Sequence, residues 1–350
     1  MHARSVFIIR TQFFLVSAMK NSVIPVLDMQ DLRAGGERRR AFLAKLAEAA
    51  RTVGFFYIAG HELDTLQGQT FRAAKAFFQL PLEQKLTVEM LNSPHFRGYT
   101  RLQGELTQGK PDFREQFDVM REEPALSTEN APRWTQLIGP NQWPSALPEL
   151  EAHALAYQEA QTELTQELLM AFAESLGLNS DAFGESIHKP YVHMKLMRYP
   201  GAEHEQQAGG QGVGAHKDPG YLTIVTQDQQ SGLQVEMDGK GWVDVPPLEG
   251  AVVVNIGELL ELASNGYLRA TNHRVLTPPA GTSRFSIAFF MAAQLDSEVP
   301  LLALSEAQRA LALGPASDPN NPLFSQVGKN VLKGRMRSHP DVAAKFQVNS

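Results

Sequence analysis

From Tyr191 onward the chain breaks into short apolar, β-branched runs separated by turn residues, with no helical pattern between most of them. The runs are Tyr191–Tyr199, Gly212–His216, Leu222–Gln227, Leu233–Met237, Trp242–Val245, Ala251–Asn255, His273–Leu276 and Arg284–Phe290. A parallel α/β sheet needs a crossover helix between successive strands, so this pattern disfavours it. Asp238-Gly239-Lys240-Gly241 has the composition of a hairpin turn between two of the runs. So many short strands in about 100 residues predict a double-stranded β-helix, a jelly roll whose packed sheets manage their open edges.

The flanks have a different texture, and the whole is read as mainly β with helical flanks and an N-terminal α/β region. Ile24–Leu27 and Phe55–Ile58 are short strand candidates. Ala41, Leu43, Leu46, Ala49, Ala50 and Val53 recur at helical spacing, and Gly54 ends that helix. A second helix covers Leu63–Gln79 and stops before Pro81. Leu150, Ala154, Tyr157, Leu164, Leu168, Phe172 and Leu176 form the stripe of a long helix closed by Gly177. Residues 91–148, rich in Pro, Gly and polar side chains, are expected to be long irregular connections. The expected division is 1–18 a leader or start-site artefact, 19–187 an N-terminal helical region, 188–295 the jelly-roll core and 296–350 a C-terminal helical segment. The leader reading rests on Arg10, which interrupts the apolar stretch a signal peptide requires, and on Met19 as a more ordinary start.

Composition narrows the chemistry. There are no cysteines among the 350 residues, which excludes disulfide scaffolds, thiolate zinc sites, iron–sulfur clusters and cysteine nucleophiles. The formal charge of −6 argues against a nucleic-acid binder working by phosphate neutralisation. No run approaches the ~20 apolar residues of a membrane span. The expectation is a cytoplasmic protein whose partners are small molecules, with neither nucleic acid nor membrane among them.

Any metal must therefore be held by nitrogen and oxygen. His216-Lys217-Asp218 lies on an extended segment, where residues i and i+2 point the same way. His216 and Asp218 can reach one metal while Lys217 points away, and His273 supplies a third donor at the start of another strand. Two imidazoles and one carboxylate suit non-haem Fe(II) and leave positions open for chemistry. Arg284 and Ser286 share a face by the period-2 rule and form a carboxylate clamp, to which Tyr199 can add a hydrogen bond. By the same rule Ala288 and Phe290 turn inward, so Phe290 is expected on the substrate side of the metal. His61, His95, His153, His188, His193, His204 and His339 lack partners at ligand spacing and are assigned surface or core hydrogen bonding. Gly210-Gln-Gly212-Val-Gly-Ala215 matches a loose dinucleotide pattern but no helix follows it, so it is read as a flexible loop.

With H-x-D, a distal His and R-x-S in this order, the chain resembles the Fe(II)- and 2-oxoglutarate-dependent dioxygenases of the isopenicillin N synthase-like class. Further landmarks are Ile24-Pro-Val-Leu-Asp28, Gly54-Phe-Phe-Tyr57, Phe77-Phe-Gln-Leu-Pro81, Arg198-Tyr-Pro200, Asn255-Ile-Gly257, Ser264-Asn-Gly266 and His273-Arg-Val275. Gly109-Lys-Pro-Asp-Phe113 is similar to a stretch of bacterial ethylene-forming members. The resemblance implies iron at His216, Asp218 and His273, the distal carboxylate of 2-oxoglutarate at Arg284, Ser286 and Tyr199, dioxygen as co-reactant and ascorbate as reductant. It implies oxidation of a small organic molecule with release of succinate and CO2. Two positions depart from the pattern: Met197 where Asn is frequent, and Glu258 where Asp is usual. Isopenicillin N synthase uses R-x-S to hold its substrate, so the motif indicates a carboxylate without naming it. An oxidase or ethylene-forming activity on the same fold and a non-catalytic metal-binding jelly roll stay open as alternatives. Substrate contacts are expected from the mouth, residues 91–125, 204–214 and 323–340, with Arg97, Tyr99, Arg101 and Phe113 as candidates beside Phe290.

Overall fold

Each of the eight runs forms a strand in the computed structural model, which describes residues 23–202, 210–316, 318–319 and 321–348. The expectations for residues 1–18 and for His204 lie outside the described residues. In chain order the strands are β1 Val26–Asp28, β2 Phe55–Ala59, β3 Gly98–Thr100, β4 Leu106–Thr107, β5 Lys110–Pro111, β6 Glu115–Met120 and β7 Tyr191–Pro200. Then come β8 Gln211–His216, β9 Leu222–Gln227, β10 Leu233–Met237, β11 Gly241–Asp244, β12 Ala251–Ile256, β13 His273–Leu276 and β14 Ser283–Ala292. One sheet has the order β1-β2-β12-β9-β14-β7-β6-β3, and β11-β10-β13-β8 form the other. The Asp238–Gly241 turn joins β10 to β11, with Gly239 at φ 70° and Gly241 at φ 68°.

Helices cover the outer face of the large sheet, so β14 is buried on both sides. Ile287 and Phe289 join the larger core with Leu164, Leu168 and Phe172 of the Glu149–Ser175 helix. Ala288 points the other way, into the smaller core shared with Met197, Tyr199, Val213, Val235 and Val275. The alternation expected from Arg284 and Ser286 is therefore present, with apolar residues on both faces.

Residues 91–148 need correction. They contribute β3 and β6 to the large sheet, and the β4–β5 hairpin, whose turn residues Gln108 and Gly109 have φ 50° and 76° as a type I′ turn requires. Glu115-Gln-Phe-Asp-Val-Met is a period-2 strand whose Phe117 and Val119 enter the larger core while Gln116 and Asp118 are buried too. Its polar face is not solvated, and composition therefore disguised it as a loop. Residues 211–214 likewise belong to β8. The C-terminal segment carries the helices Glu306–Leu311, Val327–Ser338 and Pro340–Lys345. From the second of these Arg335 reaches Asp118 Oδ1 on β6 at 3.1 Å and the Phe96 carbonyl at 2.9 Å. Among the described residues no helix is long and apolar enough to cross a membrane.

Gly54 links this frame to the strands that follow. It ends the Gly36–Thr52 helix at φ 72°, and a Cβ there would lie 2.3 Å from the Arg269 carbonyl oxygen and 2.5 Å from Thr271 Oγ1. Both left-handed backbone and close approach demand glycine. Gly54→Ala is expected to cost about 2–3 kcal/mol in denaturant unfolding. A change below about 0.5 kcal/mol, the scatter of ordinary surface substitutions, would remove the steric argument.

Candidate active site

β8 and β13 pair antiparallel with His216 directly opposite His273, which sets the two rings 4.3 Å apart between centroids. The strand ends at His216, and two residues on Asp218 reaches both rings while Lys217 points away to Glu261 at 3.1 Å. Asp218 Oδ1 lies 3.3 Å from His216 Nε2 and 3.5 Å from His273 Nε2. One donor atom from each of the three residues falls within 4.8 Å of the others. The Nδ1 atoms are already engaged, by the Gly214 carbonyl at 2.8 Å and the Thr271 carbonyl at 3.2 Å. With Nδ1 held by a backbone carbonyl, the Nε2 of each ring is turned inward toward Asp218.

Asp218 is 2 % exposed, and its Oδ2 accepts from Asn255 Nδ2 at 2.8 Å. Burial works to raise its pKa, but His273 and His216 beside it outweigh burial and hold the carboxyl well below the usual range. For His216 burial acts against the charged form, and the bond to Asp218 prevails and raises it. The Phe55 ring meets His273 edge-on at 5.2 Å. Two imidazole nitrogens and a carboxylate converging on one point form a donor set suited to Fe(II). Asn255 was visible in the sequence as a landmark, without this task.

Arg284 is 1 % exposed. Its Nη1 donates to Ser286 Oγ at 3.2 Å and its Nη2 to Gln227 Oε1 at 2.9 Å, while Nε is buried without a partner among the described residues. The guanidinium lies 5.0 Å from the centroid of the Tyr199 ring. Among the described residues it pairs with no carboxylate. A buried guanidinium in that condition is costly until an anion arrives. Gln227 sits on β9 beside β14, a neighbour that only the sheet order identifies. At Met197 the sulfur takes hydrogen bonds from Tyr199 Oη at 3.3 Å and Arg114 Nη1 at 3.0 Å.

A cavity of about 660 Å³ opens beside His216 and Asp218. Phe290 lines it and stacks on its cross-strand partner His193, ring centroids 5.3 Å apart and planes 28° from parallel. The wall also includes Glu105, Arg114, Lys195 and Arg335, none of them singled out in the sequence. Glu258 belongs to it as well, its carboxyl pushed up by burial. Lys195 and His193 could have been found by running the period-2 rule backward from Tyr199 along β7. Glu105, Asp118 and Arg335 could not, because they reach the site from distant segments.

The other candidate contacts lie elsewhere. Arg97 is buried and donates to the Arg121 and Leu137 carbonyls, fastening loops. Tyr99 Oη donates to Glu115 at 2.7 Å inside the fold. Arg101 pairs with Glu89 at the surface. Phe113 bonds through its backbone N–H to the Gln211 carbonyl, and its side chain is absent from the cavity wall. The first three had the right residue type at a loop, but acceptors elsewhere in the fold engage their side chains. Residues 105–109 and 330–338 do border the cavity; 203–209 lie outside the described residues.

A jelly roll with two imidazoles and a carboxylate converging at the mouth of a small-molecule cavity belongs to the non-haem iron oxygenase class. Residues 24–146 match the family described as non-haem dioxygenase in morphine synthesis N-terminal, and residues 191–293 match the 2OG-Fe(II) oxygenase superfamily. The chain is 34% identical over 339 residues to the 2-oxoglutarate-dependent dioxygenase frbJ of Dothideomycetidae sp., covering 92% of this chain and 91% of that one. It is 31% identical over 325 residues to a homoarginine-6-hydroxylase of Arabidopsis thaliana, covering 90% and 87%. A full-length Neurospora crassa protein solved with alpha-KG and thymine superposes with TM-score 0.72 at 25% identity, covering 92% and 96%. JOX2, solved with 2OG, Fe and JA, gives TM-score 0.68 at 26% identity, covering 90% and 85%. The chain belongs to the 2OG-Fe(II) oxygenase superfamily: it is an oxidoreductase, a dioxygenase that uses Fe(II) and 2-oxoglutarate on a small molecule.

Asp218→Ala is expected to abolish Fe(II) binding in anaerobic calorimetric titration with little change in melting temperature. Asn255→Ala, which frees the ligand carboxylate to rotate, should weaken binding by about 10–100-fold. Unaltered affinity in both variants would mean that the metal sits elsewhere.

Proposed function

We propose that His216, Asp218 and His273 hold Fe(II), and that Arg284, Ser286 and Tyr199, assisted by Gln227, hold the distal carboxylate of 2-oxoglutarate. The observation that carries the second half is the buried Arg284 guanidinium, which among the described residues has hydroxyl and amide neighbours but no acid. When bound, Fe(II) supplies the oxidative decarboxylation of 2-oxoglutarate to succinate and CO2 and the oxidation of a substrate C–H bond. The protein's part is orientation and exclusion of water. Ser286 and Gln227 fix the guanidinium plane, so that its remaining hydrogen-bonding capacity meets a carboxylate in one orientation. Lys217, tied to Glu261, keeps its charge out of the ligand set. Phe290 and His193 form the wall against which a small polar substrate lies.

The likeness of Gly109–Phe113 to an ethylene-forming segment supports a second reading on the same scaffold, since Gly109 borders the cavity and Asp112 fixes Arg114 at 3.2 Å. Gas chromatography of reactions containing 2-oxoglutarate decides it: ethylene favours that reading, whereas substrate-stimulated succinate without ethylene favours the first.

Arg284→Lys keeps the charge and loses the forked donor geometry. The apparent requirement for 2-oxoglutarate should rise by the equivalent of about 1.5–3 kcal/mol, read from succinate formation across 2-oxoglutarate concentrations. An unchanged requirement would assign the clamp to another carboxylate. Phe290→Ala should alter primary-substrate preference and uncouple 2-oxoglutarate consumption from product. A loss of about 3–5 kcal/mol in stability with unaltered selectivity would make Phe290 simple core.

A further inference from the structure

β7 turns Tyr191, His193 and Lys195 to one side at two-residue intervals, and all three line the cavity that reaches His216 and Asp218. His193 Nε2 lies 2.6 Å from Asp118 Oδ1. Asp118 is fully buried and also receives Arg335 Nη1 at 3.1 Å and Gln116 Nε2 on its second oxygen at 2.7 Å. Burial lowers the pKa of His193 to about 3, with Arg335 and Lys195 adding to the effect against Asp118, so the ring is neutral. A dissociated carboxylate only accepts, so the single ring proton sits on Nε2. Nδ1 is left as a bare acceptor, and among the described residues no donor is bonded to it.

Lys195 supplies the opposite polarity. Its Nζ donates to Glu105 Oε1 at 2.5 Å, and an ammonium has three N–H bonds, which leaves donors for a ligand. The charges around these two residues are already matched within the protein. Glu105 serves Lys195 and Arg114, Asp112 serves Arg114, and Asp118 serves Arg335. A ligand group with net charge would have to be desolvated against pairs that are already satisfied, whereas a neutral dipole completes the unused acceptor and donors without that penalty. Phe290, stacked on His193, adds a flat apolar surface beside them.

We propose that His193 and Lys195 are specificity-determining residues for the primary substrate, which presents an amide-like edge, an N–H beside a C=O, on a planar molecule. The N–H donates to His193 Nδ1, and Lys195 Nζ donates to the carbonyl oxygen. Phe290 covers one face of the plane. This inference rests on the iron and 2-oxoglutarate reading above, since it assigns the substrate side of that same cavity.

The test is an anaerobic titration of the protein loaded with Fe(II) and 2-oxoglutarate, followed by the charge-transfer absorption of that complex. Failure of the absorption to form before any probe is added would overturn the reading of the previous subsection and is seen independently. The probes are 2-pyridone, its N-methyl derivative, benzoate and benzylammonium. Wild type should bind 2-pyridone about tenfold more tightly than the N-methyl derivative, the loss of one hydrogen bond, and more tightly than either charged probe. His193→Phe should erase the difference between the two pyridones, and His193→Gln, whose amide oxygen still accepts, should retain it. The proposal is overturned if wild type binds both pyridones equally or neither, if it prefers a charged probe, or if His193→Phe still discriminates.

Discussion

His216 and His273 stand opposite each other on β8 and β13, and Asp218 completes the set two residues past the end of its strand. A slip of one residue between these strands would turn one imidazole to the other face, because side chains alternate with period two. The second sheet guards the position of the carboxylate: Asn255, from β12, holds Asp218 Oδ2. Gly257 follows it so closely that a Cβ would lie 2.3 Å from the Gly220 carbonyl oxygen. The site thus exists only where two sheets are already packed, which makes the jelly roll a precondition of the chemistry.

The cavity beside it is lined by charge rather than by hydrocarbon alone. Burying Glu105, Arg114, Lys195, Asp118 and Arg335 is tolerable because each has an oppositely charged partner within 3.2 Å. Removing one member of such a pair costs about 3–5 kcal/mol, mostly the penalty of the charge left behind. These pairs tie the β4–β5 hairpin and the Val327–Ser338 helix to β6 and β7. They fix the position of the wall opposite the triad and leave chosen donors and acceptors free toward the ligand. Arg284 differs, since it is equally buried and has no acid beside it among the described residues. That contrast is the ground on which the clamp is proposed at Arg284.

The sequence by itself determined the jelly-roll strands, because strand alternation and turn chemistry are local and survive in a single chain. It also pointed to His216, Asp218 and His273, which the fold brings within 4.8 Å of one another, and to Arg284 and Ser286, which hydrogen-bond on one strand face. The tertiary structure alone decided what surrounds them. β6 escaped notice because its polar face is buried among other charges, and composition cannot distinguish a buried polar face from a solvated loop. Arg97, Tyr99 and Arg101 had suitable side chains, but neighbouring carbonyls and carboxylates claim them. The partnership of Asp118 with Arg335 spans 217 positions. Pairing at that distance is set by which elements pack together, and no periodicity within one segment encodes it.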